Sequence, residues 1–241
     1  GGSLVVSSAA GGVKLTSATA TMNMDISAAG KIELGTITVP GSLLLNNTGT
    51  GGVTTLALSA GGNITLDAVG NTSVGAVASS AGIVDLESSG GTLTTTTVSG
   101  AAGVALKSSG KLVTGALTSL NAGINAVSVN DAVAITSAKA KTALLATSKT
   151  GMTLSSYAVS AGTADLTSGL TFTSTSGAAT GGVTLNAVGN ATVGAVSSTA
   201  GIVALESSGG TLTPTTESGA AGVALKYSGN QGTGALTSLK A

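Results

Sequence analysis

Aliphatic and polar residues alternate in short bursts along this chain, and each burst follows a glycine. Ile64 and Leu66 flank Thr65 and precede Asp67, Val84 and Leu86 flank Asp85 and precede Glu87, and Val104 and Leu106 flank Ala105 and precede Lys107. A period of two residues predicts strands with one apolar and one polar face. The glycines before these bursts, Gly41, Gly62, Gly82, Gly103 and Gly123, lie 21, 20, 21 and 20 residues apart, and Gly162, Gly181, Gly201 and Gly222 continue at 19, 20 and 21. The two longer gaps, Gly2 to Gly41 and Gly123 to Gly162, are 39 residues each, or two periods. The chain therefore divides into about twelve repeats of roughly 20 residues, the length of turn expected of a solenoid.

A second, longer period overlies the first. Residues 62–122 align without gaps on 181–241, at an offset of 119, with about 46 identities in 61 positions. The chain is thus expected to be one continuous unit, 1–241, made of two copies of a super-repeat, approximately 1–122 and 123–241, with the first half of each copy matching more weakly. The last aligned residue is also the last of the chain, and Gly1-Gly2-Ser3-Leu4-Val5-Val6 has neither the basic nor the apolar region of a signal peptide, so a piece of a longer protein is the expectation.

One coil apart, Ile64, Val84 and Val104 should stack, as should Leu66, Leu86 and Leu106; the second copy repeats both with Val183, Val203, Val223 and Leu185, Leu205, Leu225. About three strands of four to five residues, joined by bends such as Ser88-Ser89-Gly90-Gly91, would fit one turn. The fold expected is all-β, a parallel β-solenoid whose coils pair at the ~4.8 Å strand spacing to give a rod on the order of 55–60 Å. The rival is a tandem pair of antiparallel β-sandwiches, since 119 residues approaches an immunoglobulin-like domain, but a sandwich predicts an aromatic pin and no internal 20-residue identity.

Composition narrows the chemistry. The 241 residues are 42% hydrophobic and 7% charged, with 38 Gly and a mean hydropathy of +0.51. So many aliphatics with so little charge exclude disorder, and two prolines without a triplet glycine period exclude collagen. Nine Lys balance nine Asp plus Glu, and Arg, His and Cys are absent. Phosphate neutralisation has no basic cluster to work with, so nucleic acid is not an expected partner, and zinc, haem and iron–sulfur ligation lack their ligands. No apolar run reaches the ~18 residues of a spanning helix, and membrane insertion is not expected.

The segment Gly61-Gly62-Asn63-Ile64-Thr65-Leu66-Asp67-Ala68-Val69-Gly70-Asn71, followed by Val74-Gly75-Ala76-Val77 and Ser80-Ala81-Gly82-Ile83-Val84-Asp85-Leu86, resembles the degenerate repeats of filamentous haemagglutinin-type exoproteins. These are large bacterial surface proteins secreted by the two-partner route, and the likeness extends over most of the chain; the family's secretion-domain motifs are not visible in it. The resemblance implies a right-handed β-helix shaft, a location outside the cell on the bacterial surface, no cofactor, and a role in adhesion or fibre building, with any host-cell or glycan receptor bound by regions outside this chain.

Three sets of residues are candidates for chemistry. Asp67, Glu87 and Lys107 fall in one outward column, which becomes Asn186, Glu206 and Lys226 in the second copy; a polysaccharide-cleaving or calcium site would need converging carboxylates, whereas Glu–Lys pairs across adjacent strands need only the ladder. Thr36-Ile37-Thr38, Thr92-Leu93-Thr94 and Thr171-Phe172-Thr173 could belong to an ice-binding array, but they skip coils. Tyr157, Phe172 and Tyr227 could stack on sugars or simply pack. The expectation is that the chain is no enzyme and holds no metal or cofactor. The low charge leaves little electrostatic protection against self-association, by coil stacking or laterally. A shaft or fibre is the functional expectation, with a polysaccharide-binding or polysaccharide-cleaving β-helix as the alternative.

Overall fold

The computed structural model describes residues 2–230, 232 and 234–238; positions 231, 233 and 239–241 at the end of the second repeat lie outside the described residues. Strands are numbered β1 to β24 in chain order, beginning with β1 (Leu4–Ser8) and β2 (Val13–Thr19) and ending with β23 (Val223–Tyr227) and β24 (Ala235–Ser238). Odd-numbered strands form one 12-stranded sheet and even-numbered strands another, each strand pairing with its equivalent one coil away. Every pairing among the described residues is parallel, which overturns the antiparallel sandwich as the alternative fold.

The register is the one the repeat predicts. Ile64 in β7 (Ile64–Ala68) pairs with Val84 in β9 (Ile83–Ser88), which pairs with Val104 in β11 (Gly103–Ser108), and Leu66, Leu86 and Leu106 follow two residues on. Val183, Val203 and Val223 form the matching stack in the second copy, alongside Leu185, Leu205 and Leu225. Residues 123–160, where the sequence pattern fades, hold four ordinary strands from Ile124 to Val159.

Each coil contains two strands rather than the three expected. The polar-apolar phase slips once inside the long strand, so that a single eight-residue strand turns a corner. In β10 (Leu93–Gly100), Leu93 and Thr95 point inward, Thr96 and Thr97 both point outward, and Val98 points inward again. Pairing skips the fourth residue, passing from Thr95↔Thr114 to Thr97↔Ala116. The bend brings coils close together: at the same position of β8 (Thr72–Ser79), a Cβ on Gly75 would overlap the Leu56 carbonyl of the preceding coil. A period-two reading cannot register such a slip, because each half of the strand alternates correctly on its own.

The interior is a column of aliphatic stacks, with Leu45, Leu66, Leu86, Leu93, Leu112 and Leu185 fully buried. Small hydroxyls occupy its corners, where the chain turns and leaves carbonyls unpaired. Ser88 donates to the Gly70 carbonyl at 2.8 Å, Ser128 to Gly110 at 2.7 Å and Ser207 to Gly189 at 2.8 Å, each to the coil before. Asparagines at the turns work in the other direction, as the Asn71 and Asn190 side-chain oxygens accept the backbone N–H of Thr92 and Thr211, both at 2.9 Å. Ser and Asn side chains in this chain thus satisfy backbone groups at the bends, as buried turns require.

Candidate functional site

The next-to-last position of the short strands sets the outward column Asp67, Glu87 and Lys107, since the inward neighbours Leu66, Leu86 and Leu106 fix the alternation. Lys107 Nζ lies 2.8 Å from Glu87 Oε1, and Lys226 Nζ lies 2.8 Å from Glu206 Oε1, so the cross-strand pairs expected in both copies form. The hydrogen bond from Lys107 to Glu87, reinforced by their opposite charges, holds the ammonium above its ordinary pKa. Asp85 sits on the same face; partial burial raises its carboxyl, and the negative charges of Asp67 and Glu87 add to this while Lys107 opposes it. An open groove beside the column is lined by Asn46, Thr48, Asp67, Val69, Glu87 and Ser89. Acid–base cleavage of a polysaccharide would need one free carboxylate as base and one protonated acid facing a common space. Here Glu87 is already engaged by Lys107, and the second copy replaces Asp67 and Asp85 with Asn186 and Ala204.

A third ionic cluster, unforeseen in the sequence, joins Lys14 and Lys31 to Glu33 at 3.2 and 2.7 Å. Lys31 first and Lys14 second hold the Glu33 carboxyl below the usual range. Among the described residues no three His, Cys, Asp or Glu side chains are grouped so as to hold a metal ion. Exposed pairs of this kind gain little from Coulomb attraction because water screens them. Glu87→Ala should therefore leave the urea midpoint within experimental error of wild type; a midpoint that falls as far as for a core substitution would mean that the column faces inward.

The three threonine pairs do not form one array. Thr36 and Thr38 lie on the second half of their long strand, beyond the corner, while Thr92 immediately precedes its long strand and Thr94 lies in the first half. Thr171 and Thr173 share the columns of Thr92 and Thr94, but four coils away, and Val113 and Ala134 stand in the column between Thr94 and Thr153. Of the aromatic candidates, Phe172 and Tyr157 are interior and cannot stack on a ligand, and Tyr227 alone is exposed, at 41%. The Tyr157 ring lies across Gly177 of the next coil, and its buried hydroxyl has no partner.

Charge is distributed unevenly over the outside. The outward positions of the long strands from Val53 to Gly219 carry Ala, Ser, Thr and Gly with an occasional Val or Leu, and Lys139 is their one ionisable side chain. Sequence reading missed Glu217. This residue is wholly buried, although an inventory of charged residues presumes each one to face solvent. The signal was present, since the 119-residue offset aligns Glu217 with the interior Val98.

The chain matches no family model, no curated protein and no solved structure.

Proposed function

We propose that this chain is a structural segment, the shaft of a bacterial surface adhesin or a unit of a self-assembling surface fibre, acting outside the cell and without catalysis. The observation that carries the reading is the single register kept through two 12-stranded parallel sheets, with each aliphatic side chain resting on its counterpart one coil away. Such a stack propagates length and stiffness at little cost in sequence, because each coil needs only its neighbours. The weak ion pairs and the nearly charge-free long-strand faces from Val53 to Gly219 support the same reading, since they leave the surface free to associate with itself. The likeness of residues 61–86 to filamentous haemagglutinin-type repeats supports placing the parent on a bacterial surface, with receptor binding assigned to other parts of it. Electron microscopy of the purified chain over a range of concentrations tests this. Discrete rods support the shaft, fibres with a ~4.8 Å axial repeat support the assembling unit, and depolymerisation of a polysaccharide panel by the same material would replace both with the enzymatic alternative.

A further inference from the structure

Strand β22 (Leu212–Gly219) departs from its first-copy counterpart, β10, at two inward positions: Pro214 stands where the first copy has Thr95, and Glu217 where it has Val98. Both changes weaken the hold of β22 on the next coil. The Leu212 N–H donates to the Asn230 carbonyl of that coil at 3.2 Å, and in a parallel ladder the next residue to donate in that direction is two positions on. That residue is Pro214, which has no N–H. The described ladder from β22 to β24 runs from Thr216↔Ala235 to Gly219↔Ser238, beyond the proline. Thr215 Oγ1 turns back to the Val193 carbonyl of the preceding coil, at 2.9 Å, and adds nothing to the forward seam.

Glu217 lies between Val196 and Leu236 in a column that also contains Val77 and Val98, wholly enclosed, and no side chain hydrogen-bonds to either carboxylate oxygen. The flanking strands β20 (Ala191–Ser198) and β24 contain no ionisable residue. On the short strands of the same coils, β21 (Val203–Ser207) and β23, the ionisable groups are Glu206 and Lys226, paired with each other on the outer face, and the exposed Tyr227. No charge among the described residues on these strands faces the carboxyl, so ionisation would leave an uncompensated anion in an aliphatic column.

We propose that β22 is a pH-controlled seam in the solenoid, closed while Glu217 is protonated and opening locally when it ionises, which releases the β22–β24 ladder and uncovers the edge of β20. Burial pushes this carboxyl up to about 7, with the Thr215 backbone N–H working weakly against the shift. A carboxyl whose folded pKa is raised binds its proton more tightly when closed than when open. The seam is therefore most stable below the open-state value near 4.5, weakens as pH rises through the interval up to about 7, and changes no further above it.

Amide hydrogen exchange followed by mass spectrometry on the full chain, corrected for intrinsic exchange, tests the seam. Peptides from residues 191–238 are compared with those from 72–119, their first-copy equivalents. In the wild type the open population of 191–238 should rise by roughly two orders of magnitude between pH 4.5 and 7 and then level off, while 72–119, where only the partly buried Asp85 is held above its usual range, changes far less. Glu217→Gln and Glu217→Val should remove the rise, and Val98→Glu should create one in 72–119. Pro214→Thr should lower opening at every pH without altering the profile. A wild-type profile that survives Glu217→Val, or one shared equally by the two regions, overturns the proposal; should Val98→Glu not fold, the two Glu217 variants still decide it.

Discussion

Leu86→Asp should unfold the coils on either side of it, lowering stability by more than about 5 kcal/mol, while the solenoid remote from the site stays folded. Leu86 is fully enclosed between Leu66 and Leu106. Removing a buried leucine side chain costs roughly 2–5 kcal/mol in lost burial and residual cavity, and a carboxylate without a partner in the vacated space adds several more. That sum is comparable to the whole stability of an ordinary domain, about 5–15 kcal/mol. In a linear array the damage need not be global, because each coil is held by its two neighbours and a defect can be confined by breaking two interfaces. The expected melt is thus no longer two-state, with an early transition from the flanking coils and a later one from the rest. Hydrogen exchange places the damage: protection should vanish around residues 64–108 and persist near 140–200. A single cooperative transition with an unchanged midpoint would refute the assigned facing of the strand.

Much of the fold was legible because the spacing that repeats in the sequence also repeats in space. Ile64, Val84 and Val104 are one coil apart along the chain and one strand apart in the sheet, so a list of aliphatic positions doubles as a register. The Glu87–Lys107 and Glu206–Lys226 pairs were readable on the same ground. What escaped was local. Two adjacent outward residues, such as Thr96 and Thr97, turn the corner that merges two expected strands into one, and their side chains carry no mark of it. Residue type left Tyr157 and Phe172 open between stacking on sugars and packing and drew no attention to Glu217, yet all three column positions are interior. Column position, obtained by laying the two copies on each other, is the better guide in such a chain, since residue type reports only what a side chain prefers. The candidate surfaces were less legible than the fold, because an uneven distribution of charge between faces emerges only when the faces are known.

Gly177→Ala should destabilise the solenoid by about 2–3 kcal/mol, and Tyr157→Val in the same chain should recover most of the loss. Tyr157 and Gly177 are ladder partners in the inward column of the long strands, where other coils carry Val77, Val98 and Val196. The tyrosine ring is too large for a space shaped to valine, and the next coil accommodates it by giving up its side chain: a Cβ on Gly177 would overlap the ring carbons and the hydroxyl of Tyr157. The ring is enclosed by packing on all sides, so it cannot swing away, and forcing an extra methyl into such a space costs roughly 1–3 kcal/mol through displaced side chains and backbone. Tyr157→Val alone removes the ring and leaves a cavity over a glycine, which should also be destabilising by several kcal/mol. Together the two changes restore the column's usual filling, so their effects should fall short of additivity by about 2 kcal/mol or more, a coupling that urea melts of the two single variants and the double variant measure. Tyr157→Phe separates ring from hydroxyl: the buried hydroxyl has no partner, so its removal should be neutral or stabilising by up to about 1 kcal/mol. Strict additivity in the cycle, or a large loss on Tyr157→Phe, would show that the ring is held by contacts other than the one over Gly177.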